Sequence, residues 1–198
     1  MKNIIFTISV LFSFALNAQD QMFDICPIKN SEEIPASQVF SKNGDTLNLK
    51  ELISEKPTVL VFYRGGWCPY CTKHLSALGE AKDKIDSLGY GLVAITPDSF
   101  EKLDSSVVRA GEIDYTLLSD KNASAINDFG ISWKVDDRLY HKYKTKYGLD
   151  MEWWSGSNHH LLPVPAVFII KGGKIIYQHV NPDYSKRLST KVLLSFLE

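Results

Sequence analysis

Two cysteines separated by two residues, in Cys68-Pro69-Tyr70-Cys71, are the residues of this sequence best suited to chemistry. They lie where a strand-like apolar run gives way to a helical pattern. A thiol at the start of a helix faces free backbone N–H groups and the positive end of the helix dipole, which favour its thiolate form. The second thiol lies one turn further along the same face, within reach of a disulfide bond. The spacing therefore predicts redox chemistry in which one sulfur attacks and the other resolves a Cys68–Cys71 disulfide.

Other uses of a Cys-x-x-Cys pair stay open. A structural disulfide over so short a separation would close almost no loop and would add little stability. A zinc site would need two more ligands, for which His74, His159 and His160 are candidates, but no second cysteine pair has zinc spacing. Covalent haem attachment would need a histidine directly after Cys71, where Thr72 stands. Haem is therefore excluded, and no cofactor is expected.

Two side chains close to the pair in sequence could support its chemistry. Arg64 adds positive charge near the thiols, and Trp67 can shield one side of the site. A third cysteine, Cys26, lies in a polar leader, where it is either a distant resolving thiol or a free one. The sequence predicts Arg64 and Trp67 as supporting residues and leaves the role of Cys26 open.

The elements that must position the cysteines alternate between strands and helices. Residues 58–63 form a β-branched and aromatic run without polar alternation, which is typical of a strand covered on both faces. The patterns predict further helices at 67–88, 98–110, 123–129 and 184–197, and further strands at 92–96, 164–170 and 174–180. They also predict a short edge-like strand at 115–118. This order predicts one α/β domain with layered helices and sheet.

Local turns and caps can be predicted at a few positions. Asn43-Gly44-Asp45 reads as the turn of a hairpin over 39–48, because Asn-Gly tolerates a positive φ. Asn48 with Glu51 fits a reciprocal helix cap, and so does Asp98 with Glu101. Residues 181–187 are expected to cap the last helix.

Residues 131–162 show no clean periodicity. Two pairs of side chains in this segment are expected either to line a groove over the cysteines or to pack elsewhere. They are Trp153-Trp154 and His159-His160.

The chain ends and the overall charge bear on location and partners. Residues 1–18 carry Lys2, an apolar run and a small residue at Ala18, which is the layout of a signal peptide. We therefore expect residues 19–198 to be a single soluble domain, in the periplasm or outside the cell. No cysteine lies directly after the apolar run, so no lipoprotein site is expected. The 22 basic and 23 acidic side chains nearly cancel, which gives no reason to expect a nucleic-acid or anionic-membrane partner.

Three segments together resemble the AhpC/TSA peroxiredoxin-like family. They are residues 59–71 (VLVFYRGGWCPYC), 117–120 (LLSD) and 163–170 (PVPAVFII), and the resemblance runs from about Glu33 to the C-terminus. It implies a thioredoxin-like fold, with a central mixed sheet and flanking helices. It also implies that hydroperoxides are reduced with electrons from a thioredoxin-type dithiol donor. In a thioredoxin-type fold the slot of Pro165 holds a cis proline beside the cysteine pair, so a cis Pro165 is expected at the substrate edge.

The same resemblance leaves the order of attack open. The pattern Pro-x-x-x-Thr-x-x-Cys of peroxiredoxins places Cys71 at the attacking cysteine, Cys68 at the threonine and Arg64 at the proline. The family's later arginine would fall near Pro165, where this chain has none, and Arg64 could replace it. The stretch around Tyr184 and Arg187 also resembles a recurring stretch of this family, which implies no role for it. Thioredoxins attack instead with the first cysteine of the pair. A general oxidoreductase for protein disulfides is therefore the alternative function, followed by a non-catalytic thioredoxin-like binding module.

Overall fold

A seven-stranded mixed sheet carries the cysteine pair. The computed structural model describes residues 22, 24–111 and 113–198. The strands of the sheet are β1 (Gln38–Phe40), β2 (Thr46–Asn48), β3 (Thr58–Phe62), β4 (Gly91–Thr96), β5 (Thr116–Ser119), β8 (Ala166–Lys171) and β9 (Lys174–Val180). They lie in the order β2-β1-β5-β4-β3-β8-β9, in which β3 runs parallel to β4 and antiparallel to β8. This sheet confirms the predicted central mixed sheet.

Helices cover both faces of the sheet. They are α1 (Leu49–Leu52), α2 (Pro69–Glu80), α3 (Lys82–Ser87), α4 (Leu103–Ala110), α5 (Ser124–Asp128), α6 (Asp137–Tyr147), α7 (Met151–Ser155) and α8 (Thr190–Leu197). A separate antiparallel pair joins β6 (Ser132–Lys134) to β7 (Leu161–Pro163).

Alternate residues of β3 explain its uninterrupted apolar run. Leu60 and Phe62 pack into the core on one face of the sheet, whereas Val59 and Val61 pack into the core on the other. Side chains of a strand point to opposite faces in turn, so a strand buried on both faces needs apolar residues at every position. Cys68 and Cys71 belong to the second of these cores, beneath α2.

The first hairpin and the first helix cap are as predicted. β1 pairs antiparallel with β2, and Gly44 in the turn has a φ of 88°. The side-chain oxygen of Asn48 accepts hydrogen bonds from the backbone N–H groups of Lys50 and Glu51, while its amide donates to the Glu51 carboxylate.

Four local predictions were wrong. The helix expected over 67–88 is two helices, with a break at Ala81 after Gly79, a poor helix former. β5 is an inner strand, paired with β4 and, through Ser119, with β1. Asp98 does not cap a helix, because its carboxylate accepts a hydrogen bond from the N–H of Gly66. The last helix begins at Thr190, and Ser189 caps it in place of residues 181–187.

The expected cis bond at Pro165 was also wrong. No peptide bond among the described residues is cis, so Pro165 follows a trans bond. The N–H of Val164 donates to the carbonyl of Ile131, and the carbonyl of Pro165 accepts from the N–H of Asn181. Both of these backbone hydrogen bonds form with a trans bond before Pro165, where the chain passes from β7 into β8. The trans form of such a bond is already favoured by roughly 0.5–1 kcal/mol.

Residues 131–162 form a small subdomain of their own. β6, α6, α7 and β7 enclose a third apolar cluster that includes Trp133, Met151 and Leu162, and Trp67 packs against it. The periodicity is hard to read because these elements are short and pack partly on one another and partly against the sheet, where Val180 of β9 contacts the third cluster. The predicted signal peptide lies outside the described residues. No helix within the described part of the chain is both long and apolar enough to cross a membrane.

Candidate active site

A tight turn places Cys68 at the start of α2. Cys68 is the N-cap with an extended backbone, and its carbonyl accepts from the N–H groups of Cys71 and Thr72 at 3.0 Å. Pro69 occupies the first helical position, where a missing N–H costs nothing. Gly65 has a φ of 152°, and a Cβ there would lie 2.1 Å from the indole nitrogen of Trp67. Only glycine therefore permits the close approach that brings Trp67 against the turn.

The two sulfurs differ in their surroundings. Both cysteines are free thiols in this structure, so it represents the reduced dithiol state. Both are buried, Cys68 being 2% and Cys71 1% exposed, but Cys68 lines a cavity of 930 Å³ and Cys71 does not. Cys68 is therefore the sulfur that a substrate in the cavity would meet.

The pKa shifts of the two cysteines also favour Cys68 as the reactive sulfur. A hydrogen bond from the Cys71 thiol lowers the pKa of Cys68 to about 6, with further help from Arg64, although burial opposes the shift. Burial, together with the neighbouring Cys68 sulfur, raises the pKa of Cys71 well above its ordinary value. Both shifts favour a thiolate on Cys68 over one on Cys71.

Arg64 is a buried cation held by aromatic rings. It is 4% exposed, its Nη2 donates to the hydroxyl of Tyr143 at 2.8 Å, and its guanidinium lies 4.5 Å from the ring centroid of Tyr184 and 5.1 Å from that of Trp67. Within the described residues it forms no salt bridge, and its Nε has no hydrogen-bond partner. Its charge is thus available to Cys68 and to a substrate oxygen beside it.

Asp98 holds the turn in place from below. Its buried carboxylate accepts from the backbone N–H of Gly66 at 2.7 Å and from the Trp67 side chain. Burial raises the pKa of Asp98 to about 7, although these hydrogen bonds oppose the shift. Sequence reasoning missed this role because an aspartate before a helix is most often a cap.

Aromatic side chains form a large part of the wall of the cavity in front of Cys68. Most of them come from the 131–162 subdomain, and they include Trp133, Tyr143, Tyr147, Trp153 and Trp154. Of the two placements that the sequence left open for Trp153 and Trp154, the structure has the one in which they line the cavity in front of Cys68.

The two histidines of that prediction are placed elsewhere. His159 and His160 line a different, small cavity, where His159 bonds the Lys121 carbonyl and His160 the Glu152 carboxylate.

Comparison with known proteins agrees with this arrangement. The AhpC/TSA family matches residues 31–179, which is most of the chain. The chain belongs to this family. Among similar AhpC/TSA relatives is Haemophilus influenzae bcp, a peroxiredoxin by name, which is 27% identical over 105 residues. That match covers 53% of this chain and 66% of bcp. Peroxiredoxin Q of Suaeda salsa is 30% identical over 101 residues, covering 49% of this chain and 44% of that protein.

Solved structures of this family share the fold. The reduced Prx3 of Vibrio vulnificus, in a crystal structure with H2O2, superposes with a TM-score of 0.70 at 17% identity, covering 86% of this chain and 99% of that one. The peroxidoxin BcpB of Mycobacterium tuberculosis gives a TM-score of 0.63 at 20% identity, covering 86% and 96%. The predicted thioredoxin-like fold is confirmed.

Arg187 is the residue of this AhpC/TSA protein that sequence reasoning missed. Its Nη2 donates to the Sγ of Cys71 at 3.3 Å from the loop between β9 and α8. Arg187 and Pro165 line the same small cavity. The guanidinium of Arg187 therefore lies close to Pro165, the position at which the family pattern has its later arginine. The resemblance of the stretch around Tyr184 and Arg187 to the family was a signal, but nothing in the sequence linked it to the cysteines.

The remaining candidates stand apart from the sulfur chemistry. Cys26 is exposed, and its backbone packs against Gly130, where a Cβ would lie 2.0 Å from the Cys26 carbonyl oxygen. Among the described residues no group of three or more histidine, cysteine or acidic side chains could hold a metal ion.

Proposed function

We propose that this protein is a thiol peroxidase that reduces hydroperoxides, with Cys68 as the attacking thiolate and Cys71 as the resolving thiol. The observation that carries the proposal is the placement of Cys68: its pKa is lowered to about 6, it faces the aromatic cavity, and Arg64 lies beside it. Membership of the AhpC/TSA family supports the same chemistry.

The reaction can be written with these residues alone. The Cys68 thiolate attacks the terminal peroxide oxygen, the O–O bond breaks, and the leaving alkoxide takes up a proton to become an alcohol, or water when the substrate is H2O2. Arg64 stabilises the charge that develops on the oxygens, as donors fixed in a water-poor site do. Cys71 then attacks the Cys68 sulfenic acid, hydroxide leaves and is protonated to water, and the Cys68–Cys71 disulfide forms.

A dithiol must then reduce this disulfide. We propose a thioredoxin-type donor, because a Cys-x-x-Cys disulfide is reduced by exchange with a second dithiol. Tyr70 lies between the cysteines and is 47% exposed, so a partner protein can approach the pair there.

The proposed order departs from the family pattern, which places Cys71 at the attacking position. Two physical reasons favour Cys68. Burial and the Cys68 sulfur hold the pKa of Cys71 high, so that little thiolate exists there at neutral pH. Cys71 also does not border the cavity through which a peroxide of any size would enter. A cavity of 930 Å³ accepts organic hydroperoxides as well as H2O2.

Stopped-flow oxidation of the reduced protein by H2O2 and by cumene hydroperoxide tests the function. We expect the fluorescence of Trp67 to change in a phase whose rate rises with peroxide concentration. The rate constant should exceed that of a small thiol of equal acidity by about a hundredfold, because Arg64 stabilises the transition state. Cys68→Ser/Cys71→Ser supplies the background. A wild-type rate no greater than that of the small thiol, together with rapid reduction of insulin disulfides, would instead identify a protein-disulfide oxidoreductase.

We also propose that the protein is exported, on the evidence of the residues at its N-terminus. Lys2 and the apolar run that ends at Ala18 have the layout of a signal peptide. The expected mature chain begins near Gln19. N-terminal sequencing of the protein recovered from the periplasm or the medium tests this, and an intact Met1 on a cytoplasmic form would contradict it.

A further inference from the structure

A second polar site lies around Cys71, separate from the aromatic cavity. Arg187, His74 and His179 line a small cavity together with Pro165. His74 follows Cys71 by three residues in α2, so both lie on the same face of that helix. Arg187 closes the arrangement from the loop before α8, with its Nη2 on the Cys71 sulfur. Arg187 therefore links the buried Cys71 thiol to a small cavity that two imidazoles line.

The charge of Arg187 has no close anionic partner in the described part of the chain. It takes part in no salt bridge there, and its Nη1 donates to the carbonyl of Lys186. Asp183 on the same loop acts on it from a distance, but the N–H and hydroxyl of Ser185 already bond that carboxylate.

The two imidazoles beside Arg187 do not neutralise the charge of its guanidinium. His74 is buried, and desolvation together with the positive Arg187 lowers its pKa to about 4, so it is neutral at physiological pH. The same two causes lower the pKa of His179. Within the described residues, the Nε2 atoms of both rings are buried and have no hydrogen-bond partner. A half-buried guanidinium beside two neutral rings is available to a negative charge, and the Cys71 sulfur is the atom it contacts.

We propose that Arg187 is the catalytic residue of the second step, in which it stabilises the Cys71 thiolate while that sulfur attacks Cys68. His74 and His179 are positioning residues, which hold the guanidinium without neutralising it. The proposal rests on the proposed order of attack, Cys68 first and Cys71 second, but it does not depend on a peroxide as the oxidant.

The two steps need two different arginines, Arg64 in the first and Arg187 in the second. In the dithiol the Cys71 thiol donates to Cys68, and this donation ends when Cys68 is oxidised. Cys71 must then lose its proton inside the core, where burial opposes a charge. The guanidinium of Arg64 lines the cavity with Cys68, and only the backbone of Arg64 bonds Cys71, whereas the guanidinium of Arg187 contacts the Cys71 sulfur at 3.3 Å.

A chromogenic disulfide, 5,5′-dithiobis(2-nitrobenzoate), separates the two steps without any peroxide. The Cys68 thiolate attacks the reagent, breaks its S–S bond and releases one coloured thiolate in the first phase. Cys71 then loses its proton to solvent and attacks the Cys68 sulfur, and the second coloured thiolate leaves as the Cys68–Cys71 disulfide forms. The second phase thus reports the reactivity of Cys71. If the wild-type protein reacts in this way but not with hydroperoxides, the peroxidase function fails while the role of Arg187 is still tested.

Arg187→Gln is expected to slow the second phase about tenfold. Losing a nearby cation raises a thiol pKa by roughly 1–3 units, but the more basic thiolate is a stronger nucleophile, which offsets about half of the effect. The first phase should change by less than about twofold, since Arg187 is the least of the causes that lower the pKa of Cys68. Arg138→Gln is the matched control, because Arg138 is exposed on α6, and it should leave both phases unchanged.

Two further measurements test the role of Arg187 independently. If Arg187→Gln does not fold, Arg187→Lys is used; it keeps the charge but loses the planar fork, and the second phase should slow about threefold. In a Cys68→Ser background, alkylation of Cys71 as a function of pH should show a higher midpoint when Arg187 is replaced. An unchanged second phase, or equal slowing of both phases, would overturn the role of Arg187, and so would an unchanged midpoint.

Discussion

Cys68→Ser is expected to abolish hydroperoxide consumption, whereas Cys71→Ser should retain one rapid turnover. Both sulfurs are buried, but Cys68 lines the cavity and has a lowered pKa, whereas Cys71 does not line it and has a raised pKa. Serine at position 71 can still donate a hydrogen bond to the Cys68 sulfur, so the thiolate should survive in that variant. Cys71→Ala removes the donor and should raise the pKa of Cys68.

A single-turnover assay with equal amounts of protein and peroxide measures this, and dimedone then labels the sulfenic acid. Cys71→Ser should consume one equivalent of peroxide and accumulate a label on Cys68, because nothing resolves it. Cys68→Ser should consume less than about 1% of the peroxide in the same time, in line with the loss of a nucleophile. Cys26→Ser is the matched control and should cycle like the wild type. Fast consumption by Cys68→Ser alone would make Cys71 the attacking residue, as the family pattern implies.

The parts of the fold predicted correctly are those fixed by local sequence. The apolar run of β3 needs cover on both faces, and the turn at Gly44 needs a positive φ, so each can be read without knowing its neighbours. The helix start at Cys68 follows from a proline at the first helical position and from the end of the strand before it.

The parts of the site that escaped prediction depend on contacts between distant segments. Arg187 lies 116 positions from Cys71, and Tyr143 lies 79 positions from Arg64. No spacing rule connects such pairs, since only the path of the chain through the sheet brings them together. The peptide bond before Pro165 is a related case, because its trans form goes with partners at Ile131 and Asn181 that sequence patterns do not reveal.

Arg64→Gln is expected to slow the reaction with hydroperoxide about a hundredfold at neutral pH. Two effects of the guanidinium are lost together. Its charge contributes to the lowered pKa of Cys68, after the hydrogen bond from Cys71, so its removal should raise that pKa by about one unit. It also stabilises the charge on the peroxide oxygens in the transition state, and one such donor is worth about 10²–10³ in rate. Glutamine keeps some bulk and polarity, but neither the charge nor the fork.

The pH profile separates these two effects. A group with a lowered pKa is ionised from that pKa upward, so the wild-type rate should rise through about pH 6 and level off above it. In Arg64→Gln the midpoint should move upward, and the plateau at high pH should remain far below that of the wild type. Asp98 has a pKa of about 7 and binds the same turn, so each profile is repeated with Asp98→Asn to remove its titration.

Tyr143→Phe provides a milder test of the same group, because it removes only the hydroxyl that accepts from Arg64 at 2.8 Å. Arg64 keeps its charge and its contacts with Trp67 and Tyr184 in this variant, so the midpoint should stay near pH 6. The plateau should fall by about tenfold, since a guanidinium less firmly held is less well aimed at the peroxide. A plateau in Arg64→Gln equal to that of the wild type, with only the midpoint moved, would restrict Arg64 to acidifying Cys68. Transition-state stabilisation would then fall to the backbone N–H groups at the start of α2.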